Sequence, residues 1–327
     1  MTAASRGGAV DWPAVTPAAV TPAAVTPAAV TPVVPATSES ELRIAVPNTG
    51  SLAEPAAAML REAGYRQRSD GRDLVLADPA NGVRFFFLRP RDIAVYVGAG
   101  SLDVGITGRD LLLDSGAPAT EVLPLGFAPS TFRFAARPEV VARVGDGLAG
   151  LAGERIATSY PGLVRAHLAT AGVTARVVRL DGAVESSVQL GVADVIADVV
   201  QTGTTLRAAG LEVFGAPILV SEAVLVRRGA APEDPRSPVA VLLRRLQGVL
   251  IARRYVMIDY DVPAAHQEAA CALTPGMESP TVSPLARPDW VAVRALVPRA
   301  DSHRVMDDLY DVGARAILVT TVHAARM

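Results

Sequence analysis

The sequence predicts an α/β protein of two lobes followed by a smaller α/β domain, on three observations. Short Val-, Ile- and Ala-rich runs alternate with stretches of helical period, many stopped at a glycine, which is the pattern of a mostly parallel sheet between helices. Strands around Phe132 and Ala223 stand where the chain passes from one such unit to another and back, so the first lobe is discontinuous. Finally, residues 255–327 read β-α-β-β-α-β, a ferredoxin-like plait. The expected bounds are 1–41 for a tail, 42–133 with 227–254 for the first lobe, 134–226 for the second and 255–327 for the terminal domain.

From Ala14 to Pro32 the unit Ala-Val-Thr-Pro recurs every five residues. Proline at that spacing excludes helix and sheet, so a disordered or extended tail is expected, and no proline-free apolar core marks a secretory signal. Leu42 to Val46 reads as a strand, and Ala53 to Ala63 as a helix stopped by Gly64. Asp73 to Leu76 and Val83 to Leu88 are the next strands, Ile93 to Val97 a short helix, and Leu102 to Asp110 a strand emptying into a glycine turn. Strands that end in polar, Gly- or Arg-bearing loops mark the side on which open α/β sheets bind ligands. Phe132 to Ala136 is a strand, Pro138 to Gly150 a loose connection, and Arg155 to Thr158 a strand leading into a helix that ends near Gly172. Ala175 to Arg179, Ala193 to Val200 and Ala223 to Val226 complete the strands of the lobes, with a helix to Leu190 between the first two. Pro238 to Arg253 is an amphipathic helix. The plait consists of Tyr255 to Tyr260, Ala264 to Leu273, Thr281 to Leu285, Trp290 to Val297, a helix capped by Asp301, and Ala316 to Thr321.

Composition removes several classes of function. The formal net charge is −2, which leaves no electrostatic footprint for nucleic acid. No run of ~20 apolar residues exists to span a membrane. Cys271 is the only cysteine, so an intramolecular disulfide is excluded and a reducing cytoplasm suits the chain; the role of a small buried hydrophobe in a helix is expected for it. All 31 residues counted as Lys+Arg are arginine, which removes Schiff-base chemistry. His167, His266, His303 and His323 lack metal-ligand spacing.

One stretch carries chemistry. Residues 193–200 form a strand, Thr202-Gly203-Thr204-Thr205 a turn, and Leu206 begins a helix. A glycine lets the backbone approach a ligand, and the free N–H groups of a helix start face an anion. The hydroxyls of Thr202, Thr204 and Thr205 add donors. Asp198 is placed to accept from a sugar hydroxyl or to meet a metal ion. That is the layout of a loop for phosphoribosyl diphosphate (PRPP). An ordinary strand-to-helix turn with threonine as N-cap fits the same residues. It is not a P-loop, which needs lysine after its second glycine.

Together with Pro47 to Leu52, Phe86 to Ile93, Asp103 to Gly108, Ala157 to Pro161, Asp181 to Glu185 and Thr274 to Thr281, this stretch resembles the ATP phosphoribosyltransferases of histidine biosynthesis in their long, regulated form. The resemblance covers Leu42 to the C-terminus and implies lobes like a type II periplasmic binding protein. It implies a pentosyl transfer joining N1 of ATP to C1 of PRPP with release of pyrophosphate, Mg2+ as cofactor, feedback inhibition by histidine, and a homo-oligomer passing between dimers and hexamers. No nucleophilic side chain is then needed, only placement, a cationic clamp on pyrophosphate and negative charge near the ribose. On that basis Arg89, Glu185, Asp194 and Asp198 are the expected catalytic residues, Asp194 and Asp198 also as metal ligands. Thr202, Gly203, Thr204 and Thr205 hold the PRPP phosphate, and Asn48, Gly50, Arg109 and Tyr160 bind ATP, Arg109 sharing the clamp. Asp261, Met277, Thr281, Leu296 and Ala316 are the expected histidine site.

Thr49 stands where most relatives carry lysine in the first loop. Two rival readings share these features: a non-catalytic two-lobed binding protein, and a phosphoribosyltransferase acting on a free base. Against the second, Ala197 occupies the position of the paired acid that such enzymes carry before the turn.

Overall fold

The structure is a computed structural model that describes residues 41–68, 71–200, 203–229 and 234–326. The described residues belong to one compact unit, Ser40–Met327. Apart from Glu41, the expected tail lies outside the described residues. That unit holds both lobes and the terminal domain.

The first lobe runs β1 (Leu42–Pro47), α1 (Ala53–Glu62), β2 (Val75–Asp78), β3 (Val83–Leu88), α2 (Pro90–Gly98), β4 (Val104–Gly108), α3 (Arg109–Ser115) and β5 (Thr120–Pro124). The second runs β6 (Ser130–Ala136), α4 (Pro138–Val144), β7 (Arg155–Thr158), α5 (Pro161–Thr170), β8 (Arg176–Arg179), α6 (Ser186–Gln189), β9 (Val195–Val200), α7 (Thr204–Ala208) and β10 (Glu212–Ser221). The chain then returns through β11 (Ala223–Arg227) and α8 (Pro238–Arg254).

Sheet order in the first lobe is β2-β3-β1-β4-β11-β5, with β3, β1 and β4 parallel. β1 is almost continuously buried because helices cover both its faces. Ile44 and Val46 pack with Met59 and Leu60 of α1 and with Leu242 and Leu246 of α8, whereas Ala45 meets Ile93 and Val97 of α2. The second sheet is β10-β6-β9-β7-β8, its core built on Phe132, Phe134, Ile156 and Val195. The two crossings between lobes pair with each other: Ala223 N donates to Phe127 O (3.0 Å), and Leu125 N to Ala223 O (2.9 Å).

Several expectations need correction. Residues 138–144 form α4 rather than a loose connection, because Pro138 at the first helical position costs no hydrogen bond and Val144 buries against the second core. β10 was hidden by Gly215 and Pro217, which an edge strand tolerates; its register with β6 shifts between Phe214 and Leu219. Helix α3 and strand β5 are likewise additions. The expected bounds at 133/134 and 226/227 cut through β6 and β11, whereas the sheets change hands between Pro124 and Ser130 and at Glu222.

The terminal domain comprises β12 (Tyr255–Pro263), α9 (Gln267–Leu273), β13 (Thr281–Pro284), β14 (Trp290–Pro298), α10 (Ser302–Asp311) and β15 (Arg315–Thr321). Its antiparallel order β13-β14-β12-β15 is the ferredoxin-like plait. Val256, Ile258, Val293 and Ala295 face the two helices, with Val305 and Leu309 of α10 over them. Alternation leaves Met257, Asp259, Asp261, Arg294 and Leu296 on the uncovered face. Cys271 in α9 packs against this core but is only half-buried. Asp301 stands at the N-cap of α10 but makes no capping bond and pairs with Arg304 instead. Among the described residues no helix is long and apolar enough to cross a membrane.

Candidate active site between the lobes

The C-terminal ends of β1, β3 and β4 and both crossings open into one cleft of about 220 Å³. Its walls include Thr49, Gly50, Pro90, Asp110, Ser130, Tyr160, Val199, Ser221 and Glu222. Gly50 turns the first loop with φ +76°, a conformation open to glycine, and the Oδ1 of neighbouring Asn48 is buried without a hydrogen-bond partner among the described residues. Asp110, in the first turn of α3, is buried against Ser221: Ser221 Oγ donates to Asp110 Oδ1 (3.0 Å), and Asp110 N donates to Ser221 Oγ (3.1 Å). That exchange joins the end of β10 in the second lobe to α3 in the first.

Tyr160 stands at the start of α5 and packs against both lobe cores. Its ring meets Phe132 edge-on at 5.1 Å, with the Arg91 guanidinium 4.9 Å from its centroid. Burial, then the nearby Asp110 carboxylate, push its phenol far above the ordinary value, so it is a neutral hydrogen-bonding group at physiological pH.

A second cavity of about 330 Å³ is lined by Glu185, Asp198, Val199, Val200, Gly203, Thr205 and Leu206. Val199 lines both cavities, so they adjoin. Asp198 ends up here because β9 carries it to the sheet's C-terminal edge. Burial raises its carboxyl above the usual range, and the charge of Glu185 adds to this against the opposing bond from Val199 N (2.8 Å). No ion pair to Asp198 forms among the described residues, so a negative site is held open. Gly203 adopts φ +67° at the start of α7. With five residues α7 contributes little dipole, so donors here are individual amide and threonine groups. Thr204 Oγ1 accepts from Arg207 (3.5 Å). Thr202 lies outside the described residues.

The structure does not bring every expected residue to this place. Asp194 is corrected: it precedes β9, at the far end of the strand from Gly203, and Arg155 grips it through Nε (2.9 Å) and Nη2 (2.7 Å). That pairing lowers its carboxyl value and leaves it no part in the cleft. Arg109 is also corrected as a phosphate clamp, since it donates to Glu121 twice (both 2.8 Å) and to Glu222 (3.2 Å), tying the crossings together. Arg89 is exposed at the start of α2, and its guanidinium has no partner among the described residues.

On the uncovered face of the plait, Asp261, Thr281 and Ala316 line a recess of about 390 Å³ with Asp259, Ser283 and Arg294. Ala316 holds φ +50° where the pairing of β15 with β12 shifts. Met277 and Leu296 are not in its wall: Met277 belongs to the exposed loop before β13, and Leu296 pairs with Met257 further along the same face. Sequence reasoning missed Ser130, Ser221 and Glu222. The signal was the two-crossing topology, which forces residues at the crossings onto the cleft floor. Among the described residues no group of three or more His, Cys, Asp or Glu side chains could hold a metal ion.

A cleft between two α/β lobes, furnished with hydrogen-bonding groups and carboxylates, suits a transferase that works by placement and charge. A family model described as ATP phosphoribosyltransferase (HisG) matches residues 89–248, and one described as the HisG C-terminal domain matches residues 252–324. An ATP phosphoribosyltransferase of Paenarthrobacter aurescens (strain TC1) is 64% identical over 291 residues, which is 88% of this chain and 100% of that protein. Its counterpart in Salinispora tropica is 65% identical over 286 residues, again 88% of this chain and 100% of the relative. Among solved structures, an ATP phosphoribosyl transferase (HisG:HisZ) complex from Thermotoga maritima aligns with TM-score 0.54 and 25% identity, covering 64% of this chain and 98% of that one. The chain belongs to the ATP phosphoribosyltransferase family.

Proposed function

We propose that the two adjoining cavities divide the substrates of ATP phosphoribosyl transfer between them. ATP lies in the interlobe cleft against Tyr160, Gly50 and Asn48, and PRPP in the cavity of Asp198 and Gly203. The observation that supports this reading is the shared Val199 wall, across which an adenine in one cavity would lie beside a ribose in the other. The N1–C1 bond forms as the C1–O bond to pyrophosphate breaks, and its electron pair leaves with the pyrophosphate. Adenine N1 has a free lone pair at neutral pH, so no base is required of the chain.

Gly203, Thr204 and Thr205 hold the 5′-phosphate, and Thr202, the residue before them in the sequence, is expected to join them. The carboxylates of Asp198 and Glu185 face the ribose as it becomes cationic. Arg89, with no partner among the described residues, grips the departing pyrophosphate. Glu185 and Asp198, the two carboxylates lining that cavity, would hold a magnesium ion together with substrate oxygens and water; when bound, Mg2+ supplies charge neutralisation at the leaving group.

The recess of Asp261, Thr281 and Ala316 takes free histidine as a feedback inhibitor. Asp261 suits its ammonium group; Arg294, which donates to Asp259 through Nε (2.6 Å), reaches its carboxylate with its remaining donors. Met277 and Leu296 approach it only if subunits of a dimer or hexamer meet over the uncovered sheet face. Such an enzyme of amino-acid synthesis works in the cytoplasm. Pyrophosphate release from ATP and PRPP tests the reaction, with Arg89→Ala expected to lose turnover and neither substrate alone giving product.

A further inference from the structure

Helix α5 begins without a cap of its own: Tyr160 occupies the N-cap position, and its side chain makes no capping bond. The bare amides are met from the other lobe. Asp114, near the end of α3, accepts from Gly162 N (2.8 Å) and Leu163 N (3.1 Å) through Oδ1. Its Oδ2 accepts from Arg91 Nη1 at 2.8 Å, and that same guanidinium lies over the Tyr160 ring. The Asp114 side chain is only 8% exposed. Gly162 permits the approach, since a Cβ there would collide with the Asp114 carbonyl oxygen.

We propose that Asp114 is a positioning residue that caps α5 across the cleft, holds the lobes closed and fixes Tyr160, through Arg91, over the adenine subsite. A helix cap is normally supplied by its own chain neighbour, and the N-cap side chain accepts from the second or third amide of the helix. Here those amides are satisfied only while the lobes are docked, so opening the cleft exposes two donors, a carboxylate and an arginine together. Lobe closure and Tyr160 placement therefore occur as one event. The PRPP cavity is lined by residues of the second lobe alone and does not depend on the contact.

This role for Asp114 rests on ATP occupying the cleft, and its test separates the two ideas. Nitroxide labels, one per lobe, are placed in the full chain in a Cys271→Ser background. Asp114→Ala should broaden and lengthen the interlobe distance without any ligand. In steady-state assays the same variant should raise the KM for ATP about tenfold, the scale of a lost cap, while PRPP affinity stays within about twofold. Asp114→Asn keeps an oxygen for the amides and should recover most of the loss, which mere destabilisation would not explain. If Asp114→Ala does not fold, Gly162→Ala wedges the same contact and should give the same pattern. An unchanged distance distribution, or equal loss for both substrates, overturns the proposal. An opened cleft with an unaltered KM for ATP upholds the clasp and places ATP elsewhere.

Discussion

Replacing Gly203 with valine tests the phosphate turn most directly. Gly203 sits at φ +67°, where an L-residue pays roughly 1–2 kcal/mol of backbone strain. The added Cβ would meet Arg207 Nη1 at 3.3 Å and Val200 Cγ1 at 3.7 Å. The first neighbour is the far end of a flexible side chain and the second an ordinary contact, so the variant should fold with a stability loss of about 1–3 kcal/mol. Its branches, however, enter the cavity shared with Asp198, Glu185 and Thr205. Losing one hydrogen bond to a charged phosphate is worth about 1.5–3 kcal/mol, or roughly tenfold to 150-fold in Kd. Isothermal titration of PRPP, after a thermal melt establishes folding, reads this loss. Gly203→Ala shares the strain without the branches and should fall between. Wild-type PRPP affinity in folded Gly203→Val would refute the assignment of the turn.

Three further outcomes are expected. Asp198→Asn should abolish most turnover yet raise the melting temperature at neutral pH. The raised folded value means that the native state keeps its proton where the unfolded chain has lost it, so the charge weakens the fold progressively as pH rises through the ordinary carboxylate range to that higher value. The calorimetric gain should therefore shrink as pH falls; a lower melting point at neutral pH would mean that the charge is paired. Thr49→Lys sets a cation on the exposed rim of the cleft and should lower the KM for one substrate, by at most the roughly 1.5–3 kcal/mol of a charged hydrogen bond; a higher KM for both would show that the loop faces no phosphate. Asp261→Ala should blunt inhibition by histidine while leaving kcat intact, because an effector acts only through preferential binding of one state; undiminished inhibition would place the regulatory site elsewhere.

Elements whose meaning is local were legible in the chain itself. β3 and β7 fall on the residues their apolar runs mark, and the plait follows from the spacing of its strands. The turn at Gly203 carries its signal in a few adjacent residues, as glycine is needed for the backbone it adopts. Family membership was likewise readable, because short runs in fixed order are a one-dimensional signal.

What the sequence could not decide was which of several equivalent side chains found a partner. Asp194, just before β9, and Asp198, within it, are four residues apart, and either could have served the ribose; only the sheet shows that one end of β9 lies by Arg155 and the other by the cleft. Arg89 and Arg109 each follow directly on a strand in the expected place, but Glu121 and Glu222, brought by β5 and the second crossing, occupy Arg109. The pairing of Asp114 with α5 spans the two lobes and has no local pattern at all. Residue type and period determine elements because those act over a few residues. Charge partners, caps supplied from a distance and the walls of a cleft are fixed by which elements pack together, and that is decided by the burial of whole faces rather than by neighbours in the chain.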